Sequence, residues 1–149
     1  MKKRALLAIL ITLIAAITVF YPRDLITIIG EEPVIDEDVN LSIIFRNTFE
    51  ESGERIESQN QHHSEEIMEF LNSYKYRRSN KSYDKLDDLN SYSITIKDTK
   101  DEQLLRATVR GDEYISIMDK MDNYTLYKVW GSEFDEEFLA DFYKSVNDM

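Results

Sequence analysis

The sequence predicts an α+β domain: a mainly antiparallel, twisted sheet with two helices packed on it, preceded by one N-terminal hydrophobic helix. An uncharged apolar run near the N-terminus, alternating apolar and polar residues in the C-terminal half, and two helical apolar repeats predict this class. A period of two indicates half-buried strands, whereas a three-and-four repeat indicates one buried helix face. The alternating segments predict about six strands, four of them in a C-terminal meander.

The N-terminal segment has the composition of an export signal. A basic cluster, residues 2–4, precedes Ala5–Tyr21, a run of 17 residues without a charge. A helix of that length is roughly 26 Å long, close to the ~30 Å hydrocarbon core of a bilayer. A cleavage site ending at Ala16 would carry Ile14 where a small residue is needed, so an uncleaved anchor over residues 1–22 is favoured over a cleaved signal peptide.

Basic residues at the start of an apolar helix stay on the cytoplasmic side of a membrane. The sequence therefore predicts a single-pass protein of a bacterial cell membrane, with a cytoplasmic N-terminus and an extracytoplasmic C-terminal domain. A cleaved signal would instead give a secreted protein. We expect residues 23–40 to form a juxtamembrane strand and acidic loop, and residues 41–149 to form the domain.

The rest of the chain is strongly acidic. Its 29 acidic residues outnumber the 18 basic ones, three of which lie in the N-terminal cluster, so residues 5–149 carry a formal net charge of −14. An acidic surface repels phosphate backbones, and nucleic-acid binding is not expected. The chain has no cysteine, which rules out disulfides, thiolate metal sites and cysteine catalysis.

Local patterns predict the individual elements. Apolar runs predict strands at residues 25–29 and 41–45, and the alternative for 25–29 is apolar chain lying at the membrane surface. Polar residues 48–61 are expected to form a loop or an irregular extension. Ser64 is expected to begin a helix whose negative C-terminal end carries basic side chains, namely Lys75, Arg77 and Arg78. The meander is predicted at residues 92–97, 105–110, 114–118 and 124–130, because short connections require antiparallel neighbours. Asp135 is expected to cap the closing helix, with Phe134 packed on Leu139.

No motif in the sequence indicates a reaction. His62 and His63 lie three residues before Glu65 and Glu66, but two histidines without further histidine or cysteine do not complete a zinc site. Nucleophile, phosphate-binding and dinucleotide motifs are lacking as well. We therefore predict no catalytic residue, no cofactor and no metal, and expect a protein that is not an enzyme.

The most unusual surface feature is a basic segment interleaved with tyrosine. Together with two aromatic residues near the end of the meander, it supplies the candidate partner-binding residues: Lys75, Tyr76, Arg77, Arg78, Lys81, Tyr127 and Trp130. Such a patch is suited to an anionic polymer or an acidic partner, and the alternative is a helix end charged to match its dipole. Since Tyr127 and Trp130 lie on opposite pleats, at least one of them is expected to face outward.

Three segments carry a resemblance that covers about residues 41–146: Glu66–Leu71, Tyr92–Ile96 and Phe138–Tyr143. In these hydrophobic patterns the chain resembles small secreted or membrane-anchored domains of unknown function from Gram-positive bacteria. The resemblance implies a non-enzymatic extracytoplasmic module and adds no catalytic residue.

The leading hypothesis from the sequence is a membrane-tethered extracytoplasmic binding or regulatory module without enzymatic activity. Its N-terminal helix would bind the membrane, and its domain would bind a protein or cell-envelope partner. Two alternatives stay open: a structural subunit of an envelope complex, and an envelope hydrolase that uses paired carboxylates.

Overall fold

A computed structural model describes residues 2–30, 32–35, 39–48, 53–119 and 122–147. Over these residues the helices are α1 (Lys2–Phe20), α2 (Leu25–Ile29), α3 (Gln61–Asn72) and α4 (Glu136–Asn147), with a 3-10 helix at Tyr83–Leu86. The strands are β1 (Asn40–Arg46), β2 (Glu54–Ser58), β3 (Tyr76–Arg78), β4 (Ser91–Lys97), β5 (Gln103–Arg110), β6 (Tyr114–Met118) and β7 (Tyr124–Val129). They form one antiparallel sheet in the order β2-β1-β4-β5-β6-β7-β3.

The structure confirms the predicted α+β class and the meander. Strands β4 to β7 follow one another in the sheet as in the sequence, and helices pack on the sheet. Asp135 caps α4 as predicted, because its carboxylate accepts the Phe138 amide at 2.9 Å. The described sheet has seven strands rather than about six, because β2 and β3 were not expected and the strand expected at residues 25–29 is absent.

The prediction of a strand at residues 25–29 is wrong, because this segment forms helix α2. The Asp24 carboxylate accepts the Thr27 amide at 2.8 Å, and Gly30 ends the helix with φ +91°. An aspartate before a short apolar run and a glycine after it are helix-capping signals. In so short a run these caps decide the structure. Of the acidic loop that was expected next, residue 31 and residues 36–38 lie outside the described residues.

The loop predicted at residues 48–61 contains strand β2. This strand lies at one edge of the sheet, where it buries Ile56 and exposes Arg55 and Glu57. Charged residues on an edge strand hinder unwanted pairing, and they also hide the strand from sequence analysis. A Cβ on Gly53 would lie 2.6 Å from Ile44 Cγ2, so only glycine fits this close approach to β1.

The predicted helix start and its basic C-terminal end also need correction. Asn60, not Ser64, caps α3, since its side chain accepts the His62 amide at 3.1 Å. The helix ends at Asn72. Arg77 and Arg78 belong to β3, which pairs with β7, and Lys75 directly precedes this strand. The basic segment is thus part of a sheet edge and does not neutralise a helix end.

The main core lies between one face of the sheet and the two long helices of the domain. Phe70 of α3 stacks on Phe138 of α4 with ring centroids 4.3 Å apart, and Phe138 stacks on Phe142. A smaller cluster, Leu86 with Tyr114 and Leu126, lies on the other side of the sheet beneath the 3-10 helix. Aromatic stacking of this kind fixes α3 and α4 against each other over one face of the sheet.

From Leu6 to Ile17, helix α1 does not pack its apolar residues into this core. Every residue from Leu6 to Ile17 is exposed, with Leu6 at 73% and Leu10 at 50%. The Thr12 hydroxyl donates to the Ala8 carbonyl at 2.9 Å within the helix. Among the residues that the structure describes, no helix combines the length and apolar character required to cross a membrane.

Replacing Tyr76 by phenylalanine tests the link between the core and the edge strand. Tyr76 is fully buried, and its hydroxyl donates to the Leu71 carbonyl. Since Tyr76→Phe removes a buried donor, we expect the free energy of unfolding to fall by about 1–2 kcal/mol. Urea unfolding of the full chain in detergent measures the change.

Tyr83→Phe is the matched control. Tyr83 is 37% exposed, so its substitution is expected to change stability by less than about 0.5 kcal/mol. Equal effects of the two substitutions would contradict a structural role for the Tyr76 hydroxyl.

Candidate interaction surface

The edge formed by β3 and β7 brings basic and aromatic side chains onto one face. Tyr76 pairs with Val129 and both are buried, whereas Arg77 pairs with Lys128 on the other side of the sheet. Successive residues of a strand point to opposite faces, so Trp130 lies on the same face as Lys128. We call the surface formed by Tyr21, Lys75, Arg77, Lys128 and Trp130 the Trp130 face.

Trp130 is the central aromatic residue of this face. Its side chain is 49% exposed, and the Arg77 guanidinium carbon lies 4.7 Å from its ring centroid. Its amide donates to the Lys75 carbonyl at 2.8 Å. The next residue, Gly131, has φ +79°, a conformation that favours glycine and turns the chain away from the strand. The indole is therefore held between the strand end and a cation.

The basic residues of the face are only partly neutralised. Lys128 Nζ lies 2.5 Å from Glu113 Oε1, and this hydrogen bond raises the pKa of Lys128 and lowers that of Glu113. Arg77 lies directly opposite Lys128, and its positive charge lowers the pKa of Lys128, against the effect of Glu113. Like charges at opposed positions of neighbouring strands are destabilising, and the Glu113 carboxylate offsets this repulsion at Lys128.

The chain that leaves α1 borders the same face. Arg23 and Tyr76 exchange two backbone hydrogen bonds, of 2.8 and 2.7 Å. Asp24 Oδ2 lies 3.4 Å from Lys75 Nζ, and the pKa of Asp24 is lowered mainly by hydrogen bonds from Thr27 and further by Lys75. These contacts attach the end of the apolar helix to the sheet edge.

Two shallow grooves meet at Trp130. One, of about 700 Å³, borders the helix exit and is lined by Tyr21, Pro22, Arg23, Asp24, Thr27, Lys75 and Trp130. The other, of about 630 Å³, lies along the strands and is lined by Arg77, Glu113, Lys128, Val129, Trp130, Gly131, Ser132 and Glu133. Trp130 lines both grooves.

The structure brings together three of the residues selected from the sequence, Lys75, Arg77 and Trp130. Tyr76 is fully buried, so it cannot contact a partner directly. Tyr127 packs against the core, where burial raises its pKa and the nearby Arg78 opposes the rise. The prediction that Tyr127 or Trp130 faces outward is confirmed by Trp130.

Two predicted residues lie away from this group. Arg78 is exposed on β3, where it pairs with Tyr127. Lys81 follows β3, with Nζ 4.5 Å from the ring centroid of Tyr114. Sequence reasoning missed Lys128 and Tyr21. Lys128 shares the pleat of Trp130, which the alternation along β7 indicates, but its position opposite Arg77 depends on the β3–β7 register. The position of Tyr21 in the same groove as Trp130 depends on the pairing of Arg23 with Tyr76 of β3.

The histidines do not form a site with the neighbouring glutamates. His63 is buried, its Nδ1 lies 2.9 Å from Ser58 Oγ, and its ring meets Phe142 edge-on. Within the described ranges, no group of three or more histidine, aspartate or glutamate residues is arranged to hold a metal ion. His63 therefore has a packing role in the core.

Comparison of the chain with protein-family models, with curated proteins and with solved structures finds no match in any of the three.

Substitution of Asp24 tests how the helix exit is held. Asp24→Ala removes the cap of α2 and the partner of Lys75, so we expect stability at pH 7 to fall by about 1 kcal/mol. Because the pKa of Asp24 is lowered in the folded chain, its charge stabilises the fold above the unfolded pKa of about 4, and this contribution is lost as the pH falls through the folded value. The difference between the two chains should therefore shrink at pH 3.

Asp24→Asn keeps an oxygen that accepts the Thr27 amide but carries no charge. It should cost less than Asp24→Ala at pH 7, and urea unfolding at both pH values measures all three chains. An equal loss in both variants at both pH values would show that the carboxylate does not act in this way.

Proposed function

We propose that this chain is a membrane-tethered, non-enzymatic binding module that acts outside the cytoplasm. Helix α1 holds the domain at the bilayer, and the Trp130 face binds its partner. The observation that carries the proposal is the exposure of every residue of α1 from Leu6 to Ile17. The sheet-covering helices of the same chain, α3 and α4, instead bury their apolar residues.

Lipid is the environment that matches the surface of α1. Exposed apolar surface costs about 25 cal/mol per Å² in water, and large leucine and isoleucine side chains of α1 are more than half exposed. A helix also satisfies its own backbone groups, as lipid requires. The Thr12 hydroxyl meets the same requirement, because it donates to the Ala8 carbonyl. The basic residues 2–4 favour a cytoplasmic N-terminus and hence an external domain.

The Trp130 face has the chemistry of a binding surface. Tryptophan and arginine dominate the energetic centres of protein interfaces, and Trp130 and Arg77 stack on each other at the surface. The carboxylates of Asp24 and Glu113 are bound to Lys75 and Lys128, and the pKa of each carboxyl is lowered. A general acid at neutral pH needs the opposite shift, which supports binding over catalysis.

Tethering also makes modest affinity sufficient. A domain held at the membrane meets partners there at a high effective concentration, so a small surface with one aromatic anchor is enough for capture. Because the domain has an acidic net charge, the rest of its surface does not adhere non-specifically to anionic surfaces.

Charged substitutions in α1 test the tether in cells. The full chain, fused at its C-terminus to a reporter active only outside the cytoplasm, should resist carbonate extraction from membranes and show reporter activity. Leu10→Arg with Ile14→Arg places two charges in the apolar run and should abolish both properties, because a central arginine costs about 2.5–3.5 kcal/mol on insertion.

Val34→Arg with Ile44→Arg is the matched control, since it adds the same two charges at exposed apolar residues outside α1, 70% and 38% exposed, and should leave both properties unchanged. Recovery of the intact chain from cytosol free of lipid would refute the proposal. Release of a shortened chain outside the cell would refute the tether.

A further inference from the structure

We infer that the partner of the Trp130 face is the anionic headgroup layer of the bilayer that holds α1, so that the domain lies with its β3 edge on the membrane. The inference rests on the proposed insertion of α1 in lipid. Beyond the proposed function, it specifies the surface of the domain that meets the membrane and the chemical groups that this surface binds, namely the phosphates of anionic phospholipids.

The first argument is the distance along the chain from the helix to the face. Arg23, the third residue after α1, is paired with Tyr76 through two backbone hydrogen bonds, so no long linker separates helix and sheet. Tyr21 and Pro22 line the same groove as Trp130. A helix that enters lipid therefore brings the Trp130 face close to the membrane surface.

The second argument is the residue types found there. Tryptophan and tyrosine are enriched where a membrane meets water, because their rings are apolar and carry a polar atom. Trp130 is 49% exposed and Tyr21 is 66% exposed, although each has enough apolar surface to be buried. Lys75 and Arg77 beside them are suited to phosphate, which arginine binds with several donors at once.

The third argument is the local charge. The two grooves hold four basic side chains and three acidic ones, Asp24, Glu113 and Glu133. The chain beyond residue 4 has a net charge of −14, so most of its surface is repelled by anionic lipid. The Trp130 face has a small excess of basic side chains, so it can approach an anionic membrane surface. Arg77 and Lys128 are opposed on neighbouring strands, where Glu113 supplies one negative charge to Lys128, so a phosphate would add a second negative charge beside two bases.

The strand order then sets the orientation of the domain. Strand β2 lies at the edge opposite β3, six strand spacings away, or roughly 29 Å at the usual spacing. With β3 on the headgroups, β2 points away from the bilayer. The Arg55–Glu57 ion pair lies on β2. Lys144 lies near the end of α4, where the neighbouring Tyr143 hydroxyl donates to the Glu54 carbonyl of β2, so it too is remote from the β3 edge.

The experiment uses Trp130 as its own probe, because the chain contains only one tryptophan. The full chain is placed in lipid nanodiscs of phosphatidylcholine, or of phosphatidylcholine with phosphatidylglycerol, each with and without lipids brominated near the ester groups. We expect bromolipids to quench Trp130 emission in the anionic discs and to quench it less in the neutral discs. The ratio of emission with and without bromine corrects for changes in the emission of the tryptophan itself.

Charge reversal tests the recognition of phosphate. Lys75→Glu with Arg77→Glu should lower quenching in anionic discs by at least about twofold, since each base near an anionic surface contributes a several-fold preference. The matched variant Arg55→Glu with Lys144→Glu makes the same charge change on surfaces away from β3 and should leave quenching unchanged.

The outcomes separate this inference from the proposed function. If the chain does not stay with the discs, the tether fails. If it stays but Trp130 is not quenched, the tether holds and the inference is overturned. Equal quenching in neutral and anionic discs, unaffected by the Lys75 and Arg77 variants, would also overturn the inference, because recognition of anionic headgroups would be absent.

Discussion

Two backbone hydrogen bonds between Arg23 and Tyr76 are the constraint on which the arrangement of this molecule depends. They join the chain that leaves α1 to β3, a strand of only three residues at the edge of the sheet. The Asp24 carboxylate adds the cap of α2 and an ion pair with Lys75. The apolar helix is thus attached directly to the sheet, and the Trp130 face forms beside that attachment.

Tyr76 connects the core with the surface. Its backbone pairs with β7 on one side and with Arg23 on the other, while its side chain is fully buried and bonded to the end of α3. Because the faces of a strand alternate, burial of Tyr76 directs Arg77 to the opposite face, next to Lys128 and Trp130. The packing of one tyrosine therefore decides which basic side chains face solvent together.

The parts of the fold that local patterns determine were predictable from the sequence. The meander follows from alternating residues and short turns, and α4 from its apolar repeat and the cap at Asp135. Strands β2 and β3 were missed because one is a charged edge strand and the other pairs only through tertiary contacts. The outward position of Trp130 followed from its pleat, but its proximity to Tyr21 and Lys128 follows from the long-range register, which no local pattern contains.

Amide hydrogen exchange of the full chain in lipid nanodiscs tests the central constraint most directly. If Arg23 and Tyr76 pair as described, the amides of both residues should exchange much more slowly than the same residues in an unstructured peptide, because each donates to the carbonyl of the other. Exchange of both amides at the unstructured rate, in a chain whose meander stays protected, would show that the helix is attached through a free linker and would contradict this account.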